Sequence, residues 1–358
     1  MATMVQAIRM ALHYGEEHLG VTDIFGEDVG APLGGVFTAT QGLRTAWNSP
    51  LDERGIIGFA TGLAMAGQKP IAEIQFCDYI YNTIDLLKAA GNTTWASHGD
   101  WCVPLVVMTP VGSGIRGSIY HSHSFDAMMT HIPGWKIVMP STALDAYGLM
   151  ISAIKDGNPV MYMKPKALLR VRGDEPIPGE PLNVDGSVNE KGLKEMIDAP
   201  LGDRTQWKPR WPKLTDYAVP IGKGRVRREG SQLTVVSYGR TLPLCLQAAD
   251  LLARDESIDA EVIDLRSLWP YDWELITQSV RKTRKILFVN EDTEVTNFGE
   301  HLLRRAVEDF FYELNAAPKL LAGKHLPGIG LADNLELASV PQLPGIADAI
   351  RALAHEIP

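Results

Sequence analysis

The chain is expected to be an α/β protein of two domains. In the first half, short apolar runs alternate with helical stretches. An irregular stretch rich in Pro, Gly and charge follows, and the alternation then resumes toward the C-terminus. Strands that alternate with helices argue for mostly parallel sheets with both faces covered.

In chain order, Ile24-Phe25, Ile71–Ile74, Leu105–Met108, Lys136–Met139 and Val160–Met163 are the predicted strands of the first domain. The stretches 5–17, 55–66, 80–96 and 142–155 are the helices between them. Residues 173–215 break the pattern, with Trp207 and Trp211 among them, and are expected to be a linker with an insertion. Leu233–Tyr238, Ala260–Asp264 and Ile286–Val289 are strands of the second domain, with helices over 242–254 and 299–314. The expected division is 1–175, an irregular 176–215, and 216–358, with no internal repeat.

Composition narrows the function classes. The chain has 358 residues, 45% hydrophobic and 22% charged, the balance of a globular protein. A net charge of −9 gives no electrostatic case for nucleic acid or an anionic membrane. No run reaches the length of a membrane span. The N-terminus runs straight into a helical pattern without the sections of a signal peptide, so a cytoplasmic location is expected. Cys77, Cys102 and Cys245 are scattered, which suits a reducing compartment rather than a disulfide framework or thiolate metal site.

Generic signatures say little. Gly112-Ser-Gly-Ile-Arg-Gly117 matches G-x-G-x-x-G after a strand, but it continues through Ser118-Ile119-Tyr120 toward histidines and does not open a helix, so a dinucleotide site is disfavoured. His121-Ser-His-Ser124 suits an active-site rim; the plain alternative is a pair of surface or supporting histidines. Glu53, in Pro50-Leu-Asp-Glu-Arg-Gly55, is on its own a helix-start carboxylate facing the helix dipole.

Taken in order, the motifs resemble β subunits of the E1 component of thiamine-diphosphate-dependent 2-oxo acid dehydrogenases. The resemblance is carried by Gly26-Glu-Asp-Val29, Gly34-Gly-Val-Phe37, Pro50-Leu-x-Glu53-x-Gly-Ile56, Ala72-Glu-Ile-Gln-Phe-x-Asp-Tyr-Ile80 and Tyr120-His-Ser-x-Ser124. It continues through His131-x-Pro-Gly-x-Lys136, Asp156-x-Asn-Pro-Val160, Lys164-Pro-Lys166 and Glu261-Val-Ile-Asp-Leu-Arg-Ser-Leu268. The ordered series covers nearly the whole chain, and Ile74–Ile80 is closest to the branched-chain type.

The resemblance implies a transketolase-like pyrimidine-binding domain followed by a transketolase C-terminal-like α/β domain. It implies an α2β2 enzyme in which an α subunit holds the diphosphate and Mg2+ and this chain holds the aminopyrimidine. The Gly-Asp-Gly motif for metal and diphosphate is missing here, and His98-Gly-Asp-Trp101 does not supply it. A carboxylate bonded to the pyrimidine N1′ favours the imino form of the 4′-amine, so protein groups set the cofactor's protonation while it does the electron-sink chemistry. By resemblance Glu53 is that partner, Tyr79 the aromatic contact, Gln75, Leu51 and Glu27 line the site, and His121 serves the lipoyl step. The family's structural K+ site maps to Val103, Leu105, Val106, Ala153, Asp156 and Asn158, mostly through carbonyl oxygens, as hard cations prefer.

Oxidative decarboxylation of a 2-oxo acid with acyl transfer to lipoyl-E2 is therefore expected, with branched-chain substrates ahead of pyruvate and acetoin third. The rivals are a non-catalytic assembly or regulatory paralogue and a dinucleotide-binding protein. Four features depart from the family pattern: a shortened 44–49 segment, His123 in place of Gln, the insertion near 183–213, and an end without Asp-x-Pro-x-Pro.

Overall fold

The computed structural model describes residues 1–200, 202 and 207–357. The chain forms two compact units, one of residues 1–110, 132–164 and 168–221, the other of residues 111–131, 165–167 and 222–358.

The first unit opens with α1 (Met4–His18). Thr3 caps it through the Gln6 N–H while the Gln6 side chain returns to the Thr3 backbone, satisfying end groups that would otherwise be orphaned. Next come β1 (Asp23–Gly26), β2 (Ala46–Asn48), α2 (Glu53–Met65) and β3 (Pro70–Glu73). After a 3-10 turn over Cys77–Thr83 come α3 (Ile84–Ala96) and β4 (Val106–Val111). The chain then enters the other unit for α4 (Asp126–Thr130) and returns for β5 (Lys136–Val138), α5 (Ala143–Lys155) and β6 (Val160–Pro165). Within this unit the strands run β5-β6-β4-β3-β1-β2, parallel at β1–β2, β1–β3, β3–β4 and β5–β6. The crossovers place ligand-binding loops at the carboxyl ends of such strands. β4 and β6 are buried along their full length, as central parallel strands must be.

Two features shape that carboxyl end. A Cβ on Gly26 would meet the Glu73 carbonyl oxygen at 2.2 Å, so β1 and β3 come this close only because β1 ends on glycine. Glu73, the last residue of β3, is ion-paired with Lys164 near the end of β6, both fully buried, and β4 lies between the two strands in the sheet order.

The stretch expected as an irregular linker is built into this unit. It carries α6 (Glu190–Ile197), whose Leu193 and Ile197 join the core around α1 and α5. Buried Arg9 of α1 donates to the Ile197 carbonyl at 2.7 Å, to Asp198 at 2.8 Å and to the Thr38 carbonyl at 2.8 Å. Thr38 sits at φ +65°, a conformation a β-branched residue adopts only when its surroundings enforce it. Trp211 stacks on His13 at 4.1 Å between ring centroids. Residues 201 and 203–206 of this stretch lie outside the described residues.

The second unit continues through β7 (Arg225–Arg228), β8 (Leu233–Ser237), α7 (Thr241–Glu256), β9 (Ala260–Asp264), β10 (Ser267–Trp269) and α8 (Trp273–Thr283). It ends with β11 (Ile286–Thr293), α9 (Phe298–Phe310), β12 (Lys319–Gly323), α10 (Asp333–Ser339) and α11 (Leu343–His355). Its sheet runs β12-β11-β8-β9-β7, parallel except for the antiparallel β7–β9 edge. The α/β class and the mostly parallel sheets are as the sequence predicts.

Arg9→Met is expected to destabilise the full chain by about 2–4 kcal/mol in urea melts, because it strands the Ile197 carbonyl and the partly buried Asp198. Asp198→Asn, which keeps an acceptor, should cost less.

Candidate active site

The first unit gathers carboxylates at the carboxyl ends of β1 and β3. Glu27 and Asp28 follow β1, Asp52 and Glu53 stand at the start of α2, and Gln75 and Tyr79 follow β3. Asp28 takes φ +60°, which Asp tolerates, and accepts a hydrogen bond from the Gln75 amide at 2.7 Å. Glu53 Oε2 accepts from the Asn82 amide at 3.3 Å. Arg54, next along α2, donates at 2.6 and 2.8 Å to Asp85 and at 2.7 Å to the Asn82 carbonyl, which ties α2 to the turn carrying Asn82.

Glu27 is the most constrained of these groups. It is buried, and its Oε1 has no hydrogen-bond partner. Burial, then the negative charges of Glu53, Asp28 and Asp52, hold its carboxyl above the usual range. Burial, then Asp78, Glu27 and Glu53, raise the Tyr79 phenol. Tyr79 packs edge-on against Phe76 at 5.9 Å, and Phe76 against Phe37 at 6.2 Å. The resulting environment is acidic and aromatic. It favours a bound group that is cationic, or that shares a proton with a carboxylate, and that has a flat face.

Of the residues proposed from sequence, Glu27, Glu53 and Tyr79 come within electrostatic reach of one another, and Gln75 joins them through Asp28. Leu51 has its side chain 81% exposed beside them. An apolar cleft of about 290 Å³ next to Asp52 is lined by Phe25, Trp47, Pro50 and Phe59. It is bounded by the 44–49 segment, whose Trp47 stacks on Phe25 at 4.6 Å. A larger cleft of about 820 Å³, lined by Leu33, Gly42, Trp207 and Pro209 among others, has no carboxylate among its described residues.

Asn82 and Asp28 were not singled out in the sequence. Asn82 lies three residues after Tyr79, about one helical turn, a spacing that places both on one side of the turn. Asp28 had only its adjacency to Glu27.

His121 belongs to the second unit. It is half-buried, and its Nδ1 lies 3.1 Å from the Gly117 carbonyl. The G-x-G-x-x-G stretch forms no dinucleotide loop. A Cβ at Gly112 (φ +83°) would meet Glu291 Oε1 at 2.0 Å, and Ser113 bonds Glu291 through its backbone and hydroxyl. Only a 3-10 turn, Ser118–Tyr120, follows.

The positions matched to a K+ site lie around the α5–β6 turn and the start of β4. Val160 N–H donates to the Leu105 carbonyl at 2.8 Å, Leu105 N–H to Val103 at 2.8 Å, and Asp156 N–H to Ala153 at 3.3 Å. Both Asp156 oxygens are engaged, one by Lys136, the other by the Asn158 backbone and amide. Burial pulls the Asp156 carboxyl up, but Lys136 and Asn158 more than offset this and hold it below its usual range.

Residues 1–172 match the transketolase pyrimidine-binding domain family, and residues 222–346 the transketolase C-terminal domain family. The 2-oxoisovalerate dehydrogenase subunit beta of Bacillus subtilis is 34% identical, with 98% of each chain covered. The chain belongs to the E1 β-subunit family of 2-oxo acid dehydrogenases. The 2-oxoisovalerate dehydrogenase subunit beta of Pseudomonas aeruginosa is 37% identical over 91% of this chain and 88% of that one. The pyruvate dehydrogenase E1 component subunit beta of Acholeplasma laidlawii is 34% identical over 99% of both. A solved split-gene transketolase, an inactive β4 tetramer, superposes with a TM-score of 0.72 over 100% of both chains at 18% identity, a likeness of fold. Family and transketolase-like fold are thus as the sequence motifs implied. Among the described residues no helix is long and apolar enough to cross a membrane.

Because the Glu27 carboxyl is raised, its contribution to stability is complete below the ordinary carboxylate range, about 4.3, and is lost as pH rises through its raised value. Glu27→Gln is therefore expected to raise the melting temperature at neutral pH and leave it unchanged well below that range. Thermal melts of both proteins across pH measure this.

Proposed function

We propose that this E1 β subunit works with an α subunit in the thiamine-diphosphate-dependent oxidative decarboxylation of a 2-oxo acid and in transfer of the acyl group to lipoyl-E2, in the cytoplasm. Branched-chain acids are the favoured substrates and pyruvate the next, in keeping with relatives named for 2-oxoisovalerate and for pyruvate. The observation that carries the reading is the convergence of Glu27, Glu53 and Tyr79, with a buried Glu27 oxygen left unpartnered.

These residues fit the pyrimidine end of the cofactor. Glu53 would hold the ring through N1′, Tyr79 and Phe76 offer an aromatic surface, and the acidic surroundings favour a shared proton over a second free charge. When bound, thiamine diphosphate supplies the nucleophilic carbon and the electron sink. Glu53 would exchange a proton with the ring nitrogen bound beside it, and Asn82 orients its Oε2. His121, with Nδ1 turned to the Gly117 carbonyl, offers Nε2 as a proton donor in the lipoyl step. Diphosphate and Mg2+ are assigned to the α subunit, since the chain has no Gly-Asp-Gly motif.

The oxygen donors at 103–106 and 153–158 suit a hard monovalent cation such as K+, each carbonyl keeping a second lone pair. Asp156, already held by Lys136 and Asn158, shapes the turn more than it offers a free ligand oxygen.

In the enzyme assembled with its α chain, Glu53→Gln is expected to preserve assembly and to lower decarboxylation by a factor on the order of 10² or more. Exchange of the cofactor C2 proton should slow in parallel; exchange at the wild-type rate would reduce Glu53 to a helix-start charge. Replacing K+ with tetramethylammonium should lower the melting temperature of the same assembly, and Asp156→Ala should reduce melting temperature and cofactor retention more than the chemical step. A melt indifferent to the cation removes the ion and leaves the turn.

A further inference from the structure

The second unit contains a carboxyl cluster that the proposed reaction does not use. Asp126, the first residue of α4, is fully buried, and Asp292 near the end of β11 is nearly so. Asp292 Oδ2 accepts the Ala127 N–H at 3.0 Å, which brings β11 onto the start of α4, and Oδ1 accepts the Thr293 N–H at 2.9 Å. Asp126 Oδ1 accepts only the Ser124 hydroxyl, at 3.0 Å. Its Oδ2 and the Tyr238 hydroxyl are buried without a well-formed hydrogen bond, yet each shifts the ionisation of the other.

Two buried carboxylates, one of them bonded to the N–H of the residue that follows the other, do not both ionise readily. The donors are unequally shared: Asp292 has two backbone N–H groups to stabilise a charge, while Asp126 has only hydroxyls, Ser124 bonded to Oδ1 and Tyr238 nearby without a well-formed bond. We propose that Asp126 and Asp292 hold one proton between them, carried on Asp126, and that this neutralised pair is a positioning device clamping the His121–Ala127 segment onto β11. The other end of the segment is tied down by the Gly112 N–H, which donates to the His123 carbonyl at 2.7 Å. Loss of the proton would set a second buried negative charge against Asp292 and push the segment off the sheet.

The surrounding groups agree with this partition. Burial, then Asp292, raise Asp126 well above its usual range, and burial raises Asp292 while Ala127, Thr293 and His123 pull it back. Glu291, the next carboxylate on β11, is bonded to Ser113 and lies 3.7 Å from Arg240, so its charge is partly balanced. From α9, His301 faces α4 across a cleft it shares with Thr130 and His131; burial, then Arg304 and Arg305, keep it below the usual histidine range, toward the neutral form. β10 presents Ser267, Leu268 and Trp269, none of which titrates.

The consequence for turnover rests on the reading of His121; the shared proton does not. Since the pair is raised, its stabilisation is complete below the ordinary carboxylate range, about 3.9, and is lost as pH rises through the raised values. The melting temperature of the full wild-type chain should fall with rising pH more steeply than that of Asp126→Asn, by the equivalent of about one proton. Infrared spectra of the wild type at neutral pH should show the carbonyl stretch of a buried protonated carboxylic acid, absent in Asp126→Asn. In the assembled enzyme the alkaline limb of lipoyl-domain acylation should move to higher pH in that variant. Equal melting slopes, or a wild-type spectrum without the protonated-acid band, overturn the proposal, and the spectrum decides even if the variant does not fold. If His121→Ala leaves acylation intact while the slopes still differ, the pair stands and the reading of His121 falls.

Discussion

The acidic site rests on a buried ion pair. Glu73 and Lys164 join the ends of β3 and β6 with β4 between them, below the loops that carry Glu27, Gln75 and Tyr79. Such a pair contributes little net stability, because desolvating both charges offsets their attraction, but removing either partner is costly. Its value lies in specification: a register slip in either strand would bury a lone charge. With β3 and β6 pinned and β1 drawn to β3 by Gly26, the residues that follow each strand have little freedom in where they emerge.

Negative charge is handled in two ways in this chain. In the first unit, Glu27 remains unpartnered while Glu53 and Asp28 are held by Asn82 and Gln75, an arrangement that leaves acceptor capacity for a ligand. In the second, the crowding is internal and closed, with Asp292 saturated by backbone donors. The same physics of mutual repulsion at low dielectric makes one cluster receptive and the other self-contained.

The long periodic elements were legible in the sequence because burial on one face dictates their pattern: α1, α5, β4 and β6 fall within a few residues of where they were expected. Short strands such as β2 and β10 carry too few residues for a period, and α6 was hidden in a segment whose composition suggested a loop. Glu53 and Tyr79 could be proposed from ordered motifs, and the fold brings them near each other. Asn82 and Asp28 could not, since each acts by a hydrogen bond across the fold. The Asp126–Asp292 pair is separated by so much chain that only folding shows the two residues to be neighbours.

Arg9 gives the irregular 176–215 stretch a standing that its sequence does not suggest. One guanidinium serves the first helix, the left-handed Thr38 and the end of α6 at once. The segment is therefore part of the packing of the first unit rather than a detachable loop. Removing the segment leaves a buried cation without its Ile197 and Asp198 acceptors, and replacing Arg9 leaves α6 docked by Leu193 and Ile197 but without its polar tie to α1. Chimeric subunits will fold best when their junctions keep the segment and residue 9 from the same parent.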